Sequence, residues 1–236
     1  MAAPKLHRNV VALGLVSLLT DLSSEMIYPL LPVFLTVTLA AGPAVLGLIE
    51  GVAETTASLL KLFSGAWSDR SGRKKPLVLA GYGLSTLARP LVGFASGWGH
   101  VLAVRFCDRI GKGVRTSPRD ALVAAYVPAA QRGKAFGLQR SMDHLGAVLG
   151  PVAAFLLLAG GISLRSVFLL SIVPGLAAVA ILALLVRDAP ATGAPPHAGS
   201  VLRRDGLSPE FRRYLLLVGL FTLGTASDAY LILRAV

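Results

Sequence analysis

The sequence predicts an all-α integral membrane protein with six complete transmembrane helices and a seventh that is partial or complete. Of its 236 residues, 54% are hydrophobic and only 15% are charged, whereas soluble domains carry about 25% charged residues. A helix needs about 20 apolar residues to cross a hydrocarbon core of about 30 Å, and runs of that length recur along the chain. The spans are predicted at 9–37, 43–66, 76–96, 98–122, 134–159, 164–186 and 212–236.

The first span begins like a secretory signal peptide, because a basic lead precedes a short apolar core in KLHRNVVALGLVSLLTD. However, Asp21 and Glu25 stand where the small residues of a cleavage site are needed, and the apolar run resumes to Leu39. We therefore predict a membrane helix that is retained.

Composition divides the chain into a six-helix bundle at 1–186, a cytoplasmic linker at 187–211 and a seventh helix at 212–236. The linker is rich in Pro and Gly and then in Arg, which is typical of segments between domains. At its end, Ser208, Pro209 and Glu210 supply an N-cap hydroxyl, a proline at the first helical position and an acid in the first turn.

The seventh span starts like the first. LVGLFTLGTASDAY, from Leu217, aligns with LVSLLTDLSSEMIY, from Leu15, and five of the fourteen positions are identical. Parallel repeats of this kind occur in transporters, so we expect a second block that repeats the first. Because that block has barely begun at Val236, we expect the chain to be part of a longer protein.

The net charge of +11 is distributed unevenly over the connections between spans. Basic residues cluster before span one and in alternate connections, whereas the opposite connections, TLAAGPA, ASGWGHV and AGGISLRS, carry only Arg165 and His100. By the positive-inside rule, the N-terminus and the basic loops are predicted to be cytoplasmic in a multi-pass protein of the plasma (inner) membrane. Topology thus accounts for the charge, and no nucleic-acid partner is predicted.

Residues for metal, redox or nucleotide chemistry are sparse. The lone Cys107 excludes an internal disulfide framework, and the four histidines show no metal-ligand spacing. A phosphate-binding loop is partly matched by RIGKGVRTS, but this stretch lies inside span four. We predict no metal, no cofactor and no enzymatic activity.

The predicted cytoplasmic loop between spans two and three, SGAWSDRSGRKKPL, is densely charged. Its pattern is G-x-x-x-D-R-x-G-R-K, formed by Gly65, Asp69, Arg70, Gly72, Arg73 and Lys74. The glycines permit a tight reversal, the bases hold the loop in the cytoplasm, and the acid can pair with them or with a helix N-terminus. This loop resembles the signature loop of the major facilitator superfamily of secondary transporters.

The resemblance covers the whole chain and implies the N-terminal half of a twelve-helix fold plus the seventh helix. It implies a small-molecule substrate and protons as the transported species, with the lipid bilayer and the missing C-terminal half as partners. It also implies a charge relay in which Asp69 pairs with Arg73, which in turn is within reach of Asp120.

Span four carries charges along one helical face, at spacings of three, four and seven residues. These residues are Arg105, Asp108, Arg109, Lys112 and Arg119. Each charge at mid-membrane costs about 2.5 to 3.5 kcal/mol, so this face must line a watery cavity or meet opposite charges. Asp108 can reach Arg105 and Lys112, which leaves the face net positive. Arg105 matches an arginine common in the superfamily, although Asp108 and Arg109 replace the Gln and Gly of R-x-x-Q-G; a structural ion-pair ladder is the alternative.

Span five contains GAVLGPVAA, in which Gly146, Gly150 and Pro151 resemble the antiporter signature G-x-x-x-G-P-x-x-G-G. The sequence departs from the signature after Pro151, where VAAF contains no glycine. Small residues four apart allow close helix packing, and proline bends the helix. The resemblance implies drug-and-proton antiport, and ordinary helix packing is the alternative.

Carboxylates inside the spans are candidate proton carriers, since a buried acid can bind and release a proton. They are Asp21 and Glu25 in span one, Glu50 and Glu54 in span two, and Asp143 in span five. We predict that Asp21 or Glu25 carries the coupling proton and that Arg105 sets its affinity. Alternatively, these acids only neutralise the positive charges of span four.

Together these features predict a secondary active transporter that moves a small molecule by alternating access, through proton-coupled efflux. Uptake of an anionic small molecule is one alternative, because the face of span four is net basic. A non-transporting receptor or scaffold with the same fold is another. A six-helix block cannot alternate against itself, so we expect it to need its missing half or a second copy.

Overall fold

A computed structural model describes residues 6–188, 208–223 and 234. The described residues form helices joined by short turns. The eight α-helices of seven or more residues are α1 (Arg8–Glu25), α2 (Pro43–Ser71), α3 (Lys75–Ala88), α4 (Trp98–Ala125), α5 (Arg132–Ala159), α6 (Leu164–Leu170), α7 (Ile172–Leu185) and α8 (Pro209–Leu223). The predicted all-α fold is therefore confirmed for the part of the chain that the structure describes.

The first and third spans contain irregular turns where prolines interrupt the helix. Beyond α1 the first span continues through a 3-10 turn at Tyr28–Leu30, an α-helical turn at Leu31–Val33 and a π-helical turn at Phe34–Thr38. The third span continues beyond α3 as a 3-10 helix at Arg89–Phe94. Proline lacks the N–H needed for the helical ladder, and Pro29, Pro32 and Pro90 stand in these stretches.

Within the part of the chain that the structure describes, five helical stretches are long and apolar enough to cross a membrane. They are Arg8–Thr38, Pro43–Ser68, Lys75–Phe94, Ala129–Ala159 and Leu164–Leu185. The fourth predicted span, α4, has 28 residues, about 42 Å at 1.5 Å per residue, but it holds seven charged residues. It can therefore cross a membrane only when its neighbours surround its charges.

Helix α4 lies between α2 and α3, while α1 packs against α5 and α7. Glycines allow the close approach of α4 to both neighbours. A Cβ atom on Gly111 would lie 2.5 Å from the carbonyl oxygen of Gly81 on α3, and one on Gly113 would lie 2.5 Å from the Leu60 Cβ on α2. The Ser64 hydroxyl on α2 also donates a hydrogen bond to the Gly113 carbonyl at 2.9 Å. These contacts fix the rotation of α4 and so decide where its charges point.

The start of α8 has the predicted capping residues. The Ser208 hydroxyl accepts a hydrogen bond from the Phe211 N–H at 3.2 Å, α8 begins at Pro209, and Glu210 lies in its first turn, so the predicted helix start is confirmed. Residues 189–207 of the predicted linker, and residues 224–233, 235 and 236 of the predicted seventh span, lie outside the described residues. The division into bundle, linker and seventh helix stays a prediction.

Candidate transport site

Four charged side chains form an ion cluster around the N-terminal half of α4, which we call the N-terminal ion cluster. Its members are Glu50 on α2, Arg89 directly after α3, and Arg105 and Asp108 on α4. The Arg89 Nε donates to the Asp108 Oδ1 at 2.7 Å, and the Arg105 Nη2 donates to the Glu50 Oε1 at 2.7 Å. All four side chains are at most 13% exposed, so the cluster joins three helices in the interior.

The structure confirms one predicted partner of Asp108, Arg105, and has Arg89 in place of the other, Lys112. The cation closest to Asp108 is Arg89, directly after α3, which sequence spacing did not indicate, whereas the Arg105 Nη1 lies 3.9 Å from the Asp108 Oδ2. No ion pair forms between Asp108 and Lys112 in the described structure. Sequence spacing considers partners on one helix alone, and Asp108 points toward α3.

A second cluster, the C-terminal ion cluster, surrounds the other end of α4. The Arg119 Nη2 lies 3.1 Å from the Asp120 Oδ1, and the Arg119 Nη1 lies 3.9 Å from the Asp143 Oδ1 on α5. The same Nη1 donates to the Ser17 hydroxyl on α1 at 3.2 Å. This cluster therefore joins α1, α4 and α5.

Between the two clusters, Arg109 and Lys112 have no carboxylate oxygen within 4.0 Å among the described residues. Both are half-buried, and the Arg109 Nε is buried without a hydrogen-bond partner. Both interact electrostatically with Glu54 on α2, whose side chain is exposed. Apart from Arg115, whose guanidinium lies 4.3 Å from the centroid of the Tyr82 ring, the middle of α4 thus presents two cations whose charge is not cancelled by a contact ion pair.

The acids of α1, Asp21 and Glu25, lie against the glycines of α5. A Cβ atom on Gly146 would lie 3.1 Å from the Asp21 Cβ, and one on Gly150 would lie 2.6 Å from the Glu25 Cβ. Pro151 follows inside the same helix. The small residues at these two positions therefore bring α5 onto α1 at the level of both acids.

Neither acid of α1 forms an ion pair within 4.0 Å with any residue that the structure describes. Glu25 interacts electrostatically with Arg109 and Lys112, and Asp21 with Lys112 and Asp143. The acids of α1 and the middle cations of α4 therefore influence each other across a gap that is too wide for contact.

In the loop between α2 and α3, Gly72 has φ +65°, a left-handed conformation that glycine adopts without strain. Gly65 lies opposite Ser117 of α4, because a Cβ atom on Gly65 would lie 3.5 Å from the Ser117 Cβ. Arg73 is exposed, and the side chains of Asp69 and Arg70 lie outside the described residues. Asp120, the third member of the predicted relay, pairs with Arg119. Because the side chain of Asp69 is not described, the relay through Asp69 and Arg73 stays a prediction.

The N-terminus of α3 is capped by a residue that sequence reasoning missed. The Asp188 Oδ1 accepts hydrogen bonds from the backbone N–H groups of Lys74 and Lys75, both at 3.2 Å. Nearby, the Lys75 Nζ donates to the Ala183 carbonyl at 2.8 Å. The acid that caps the N-terminus of α3 is thus Asp188, which follows the sixth span.

Arg89 is the second missed residue, and the sequence did contain a signal for it. An arginine inside an apolar span is a functional candidate by the same rule that selected the acids. No local signal marks Asp188, which lies 114 and 113 residues from the two groups that it caps.

The comparisons with known proteins agree with this architecture. The family model described as Major Facilitator Superfamily matches residues 13–234. The chain is 34% identical over 235 residues to the uncharacterized MFS-type transporter MJ1317 of Methanocaldococcus jannaschii, covering 98% of this chain and 57% of that protein. It is 29% identical over 169 residues to the multidrug resistance protein MdtG of Escherichia coli, covering 70% of this chain and 40% of MdtG.

Among solved structures, a bacterial homolog of the human lysosomal transporter Spinster, inward-facing and unoccupied, superposes with a TM-score of 0.69. It shares 20% identity, and the match covers 88% of this chain and 48% of that one. The chain spans about half the length of the curated relatives it matches. Because the family model covers nearly the whole sequence, this integral membrane protein belongs to the Major Facilitator Superfamily of transporters.

Proposed function

We propose that the protein is a proton-coupled secondary transporter that exports a small molecule by alternating access. One observation carries the proposal: Asp21 and Glu25 lie within a membrane helix, half-buried, without a contact ion pair among the described residues. A carboxylate held by a guanidinium keeps its charge, whereas a carboxylate without such a partner can gain and lose a proton. Asp21 or Glu25 is therefore the proton carrier.

Substrate entry links proton release to transport through the middle of α4. Glu25 interacts electrostatically with Arg109 and Lys112. A substrate that occupies the gap between them changes the field at the carboxyl group, and thereby its proton affinity. The proton leaves when substrate binds from one side of the membrane and returns when substrate leaves on the other.

The packing of α5 on α1 couples this proton to conformation. Gly150 lies against Glu25, and Pro151 follows it inside α5. A bend or slide of α5 at this proline changes the surroundings of the acid directly. The described bundle alternates against a second bundle, supplied by the remainder of a longer protein or by a second copy.

Two observations favour export in particular. The positions of Gly146, Gly150 and Pro151 resemble the antiporter signature, and one relative is named a multidrug resistance protein. Uptake of an anionic small molecule is the second candidate, favoured by Arg109 and Lys112, whose charges have no contact ion pair in the described structure.

The protein lies in the plasma (inner) membrane with its N-terminus and linker in the cytoplasm, by the positive-inside rule. The test uses single cysteines in a Cys107→Ser background. A membrane-impermeant maleimide added to intact cells should label Gly97→Cys and leave Gly199→Cys unlabelled. Labelling of Gly199→Cys in intact cells would contradict the proposed orientation.

Reconstitution of the full-length protein, including any sequence beyond these 236 residues, tests the function. Vesicles with an imposed pH gradient are given a panel of toxic cations and organic anions while a trapped dye reports internal pH. An exporter of the proposed kind moves protons when its substrate is added and fails when the gradient is collapsed. An anion importer accumulates labelled anion instead, and a receptor or scaffold moves nothing.

A further inference from the structure

The charged residues around Arg105 offer it two alternative partners. Its Nη2 donates to the Glu50 Oε1 at 2.7 Å, and its Nη1 lies 3.9 Å from the Asp108 Oδ2, one turn along the same helix. A small rotation of the guanidinium would therefore exchange Glu50 for Asp108. The choice between the two carboxylates decides whether Glu50 stays ion-paired.

Arg89 decides that choice by occupying Asp108. Its Nε donates to the Asp108 Oδ1 at 2.7 Å, and its Nη1 donates to the Thr20 carbonyl on α1 at 3.1 Å. With 6% exposure, it is fixed in the interior. Asp108 is thereby neutralised from α3 and attracts Arg105 only weakly.

We infer that Arg89 is a positioning residue, which keeps Arg105 on Glu50 by neutralising Asp108. The inference rests on the proposed function only in assigning this pair to the transport path. The other charged groups acting on the cluster are Asp21 and Glu25 on α1 and Arg109 and Arg115 on α4, and the Tyr28 ring lies 5.5 Å below the Arg105 guanidinium. None of these residues contacts the Asp108 carboxylate as closely as Arg89 does.

The test measures the protonation of Glu50 and needs no substrate. Dicyclohexylcarbodiimide modifies protonated carboxyl groups in apolar surroundings, and mass spectrometry locates the adduct. Glu54, one turn away on α2 and outside the cluster, is the internal reference. In the full-length protein in native membranes near neutral pH, Arg89→Gln releases Asp108 to Arg105, so the ratio of Glu50 to Glu54 labelling should rise about tenfold.

Two further variants separate positioning from mere structural support. Arg89→Lys keeps a cation beside Asp108, and Arg89→Gln with Asp108→Asn removes the competing carboxylate. Both should leave the labelling ratio within about twofold of the unaltered protein. An unchanged ratio in Arg89→Gln, or an equal rise in the double variant, would overturn the inference. Loss of thermal stability alone would not produce this pattern.

If Arg89→Gln does not fold, Arg89→His replaces it. Its imidazolium pairs with Asp108 at about pH 5.5 and loses its charge by about pH 8. The ratio of Glu50 to Glu54 labelling should then rise with pH in this variant, and a ratio that does not rise contradicts the inference. Proton-driven transport, measured separately, reports on the proposed function, so each can fail without the other.

Discussion

The acids of this bundle fall into two regions that share residue type but differ in their partners. Glu50, Asp108 and Asp143 lie beside guanidinium groups in the two ion clusters. Asp21 and Glu25 on α1 face glycines of α5 and have no contact ion pair in the described structure. The difference lies in the neighbouring helix, because α4 supplies arginines and α5 supplies small residues.

This comparison separates two uses of buried charge. A contact ion pair holds helices together, and its members keep their charges because each stabilises the other. An acid without such a partner contributes little to stability but remains free to exchange a proton. The two ion clusters therefore hold helices together, and we propose the gap between α1 and the middle of α4 as the site of transport.

The largest expected effect on stability is at Asp108. Removing one partner of a buried ion pair leaves the other charge uncompensated and costs about 3 to 5 kcal/mol. Asp108→Asn should therefore greatly lower the temperature at which the detergent-solubilised protein aggregates, as measured by size-exclusion chromatography after heating. Asp21→Asn is the matched comparison, and its expected change is small. Equal losses in the two variants would erase the distinction between the two regions.

A smaller loss is expected where α5 packs on α1. The Cβ of Gly150→Ala would lie 2.6 Å from the Glu25 Cβ and 2.9 Å from the Glu25 carbonyl carbon, and overpacking of this kind costs about 1 to 3 kcal/mol. Gly137→Ala on the same helix is the control, because a Cβ there has nothing within 4 Å. In the heating assay, Gly137→Ala should aggregate at a higher temperature than Gly150→Ala. The reverse order would mean that α5 does not hold α1 through this glycine.

The smallest of the three effects concerns the cap of α3. Asp188→Ala removes the acceptor of two backbone N–H groups, and loss of an N-cap costs about 0.5 to 2 kcal/mol. The same assay should show a modest decrease, with the exposed Glu54→Gln as the acidic control. If Asp188→Ala is as stable as this control, the carboxylate does not anchor the end of the sixth span.

Except for α4, the membrane helices were predictable because each depends on a local apolar run, and the helix start at Ser208 depends on three adjacent residues. The charged face of α4 was also visible, because its spacing matches one helical face. The partner of Asp108 was not visible, because Arg89 lies on another helix and only the packing of Gly81 on Gly111 brings them together. For the same reason, the sequence could not exclude Glu50 from the candidate proton carriers, although of Asp21 and Glu50 only Glu50 is ion-paired in the described structure.

Which acid carries the proton is tested most directly by comparing two transport modes in proteoliposomes. Gradient-driven transport requires a proton carrier, whereas exchange of substrate across the membrane without a gradient does not. At least one of the variants Asp21→Asn and Glu25→Gln should lose gradient-driven transport while it keeps substrate exchange. Glu210→Gln, altered outside the bundle, should retain both modes. If both single variants and their combination pump at the normal rate with normal pH dependence, the proton site is not on α1 and the central claim is wrong.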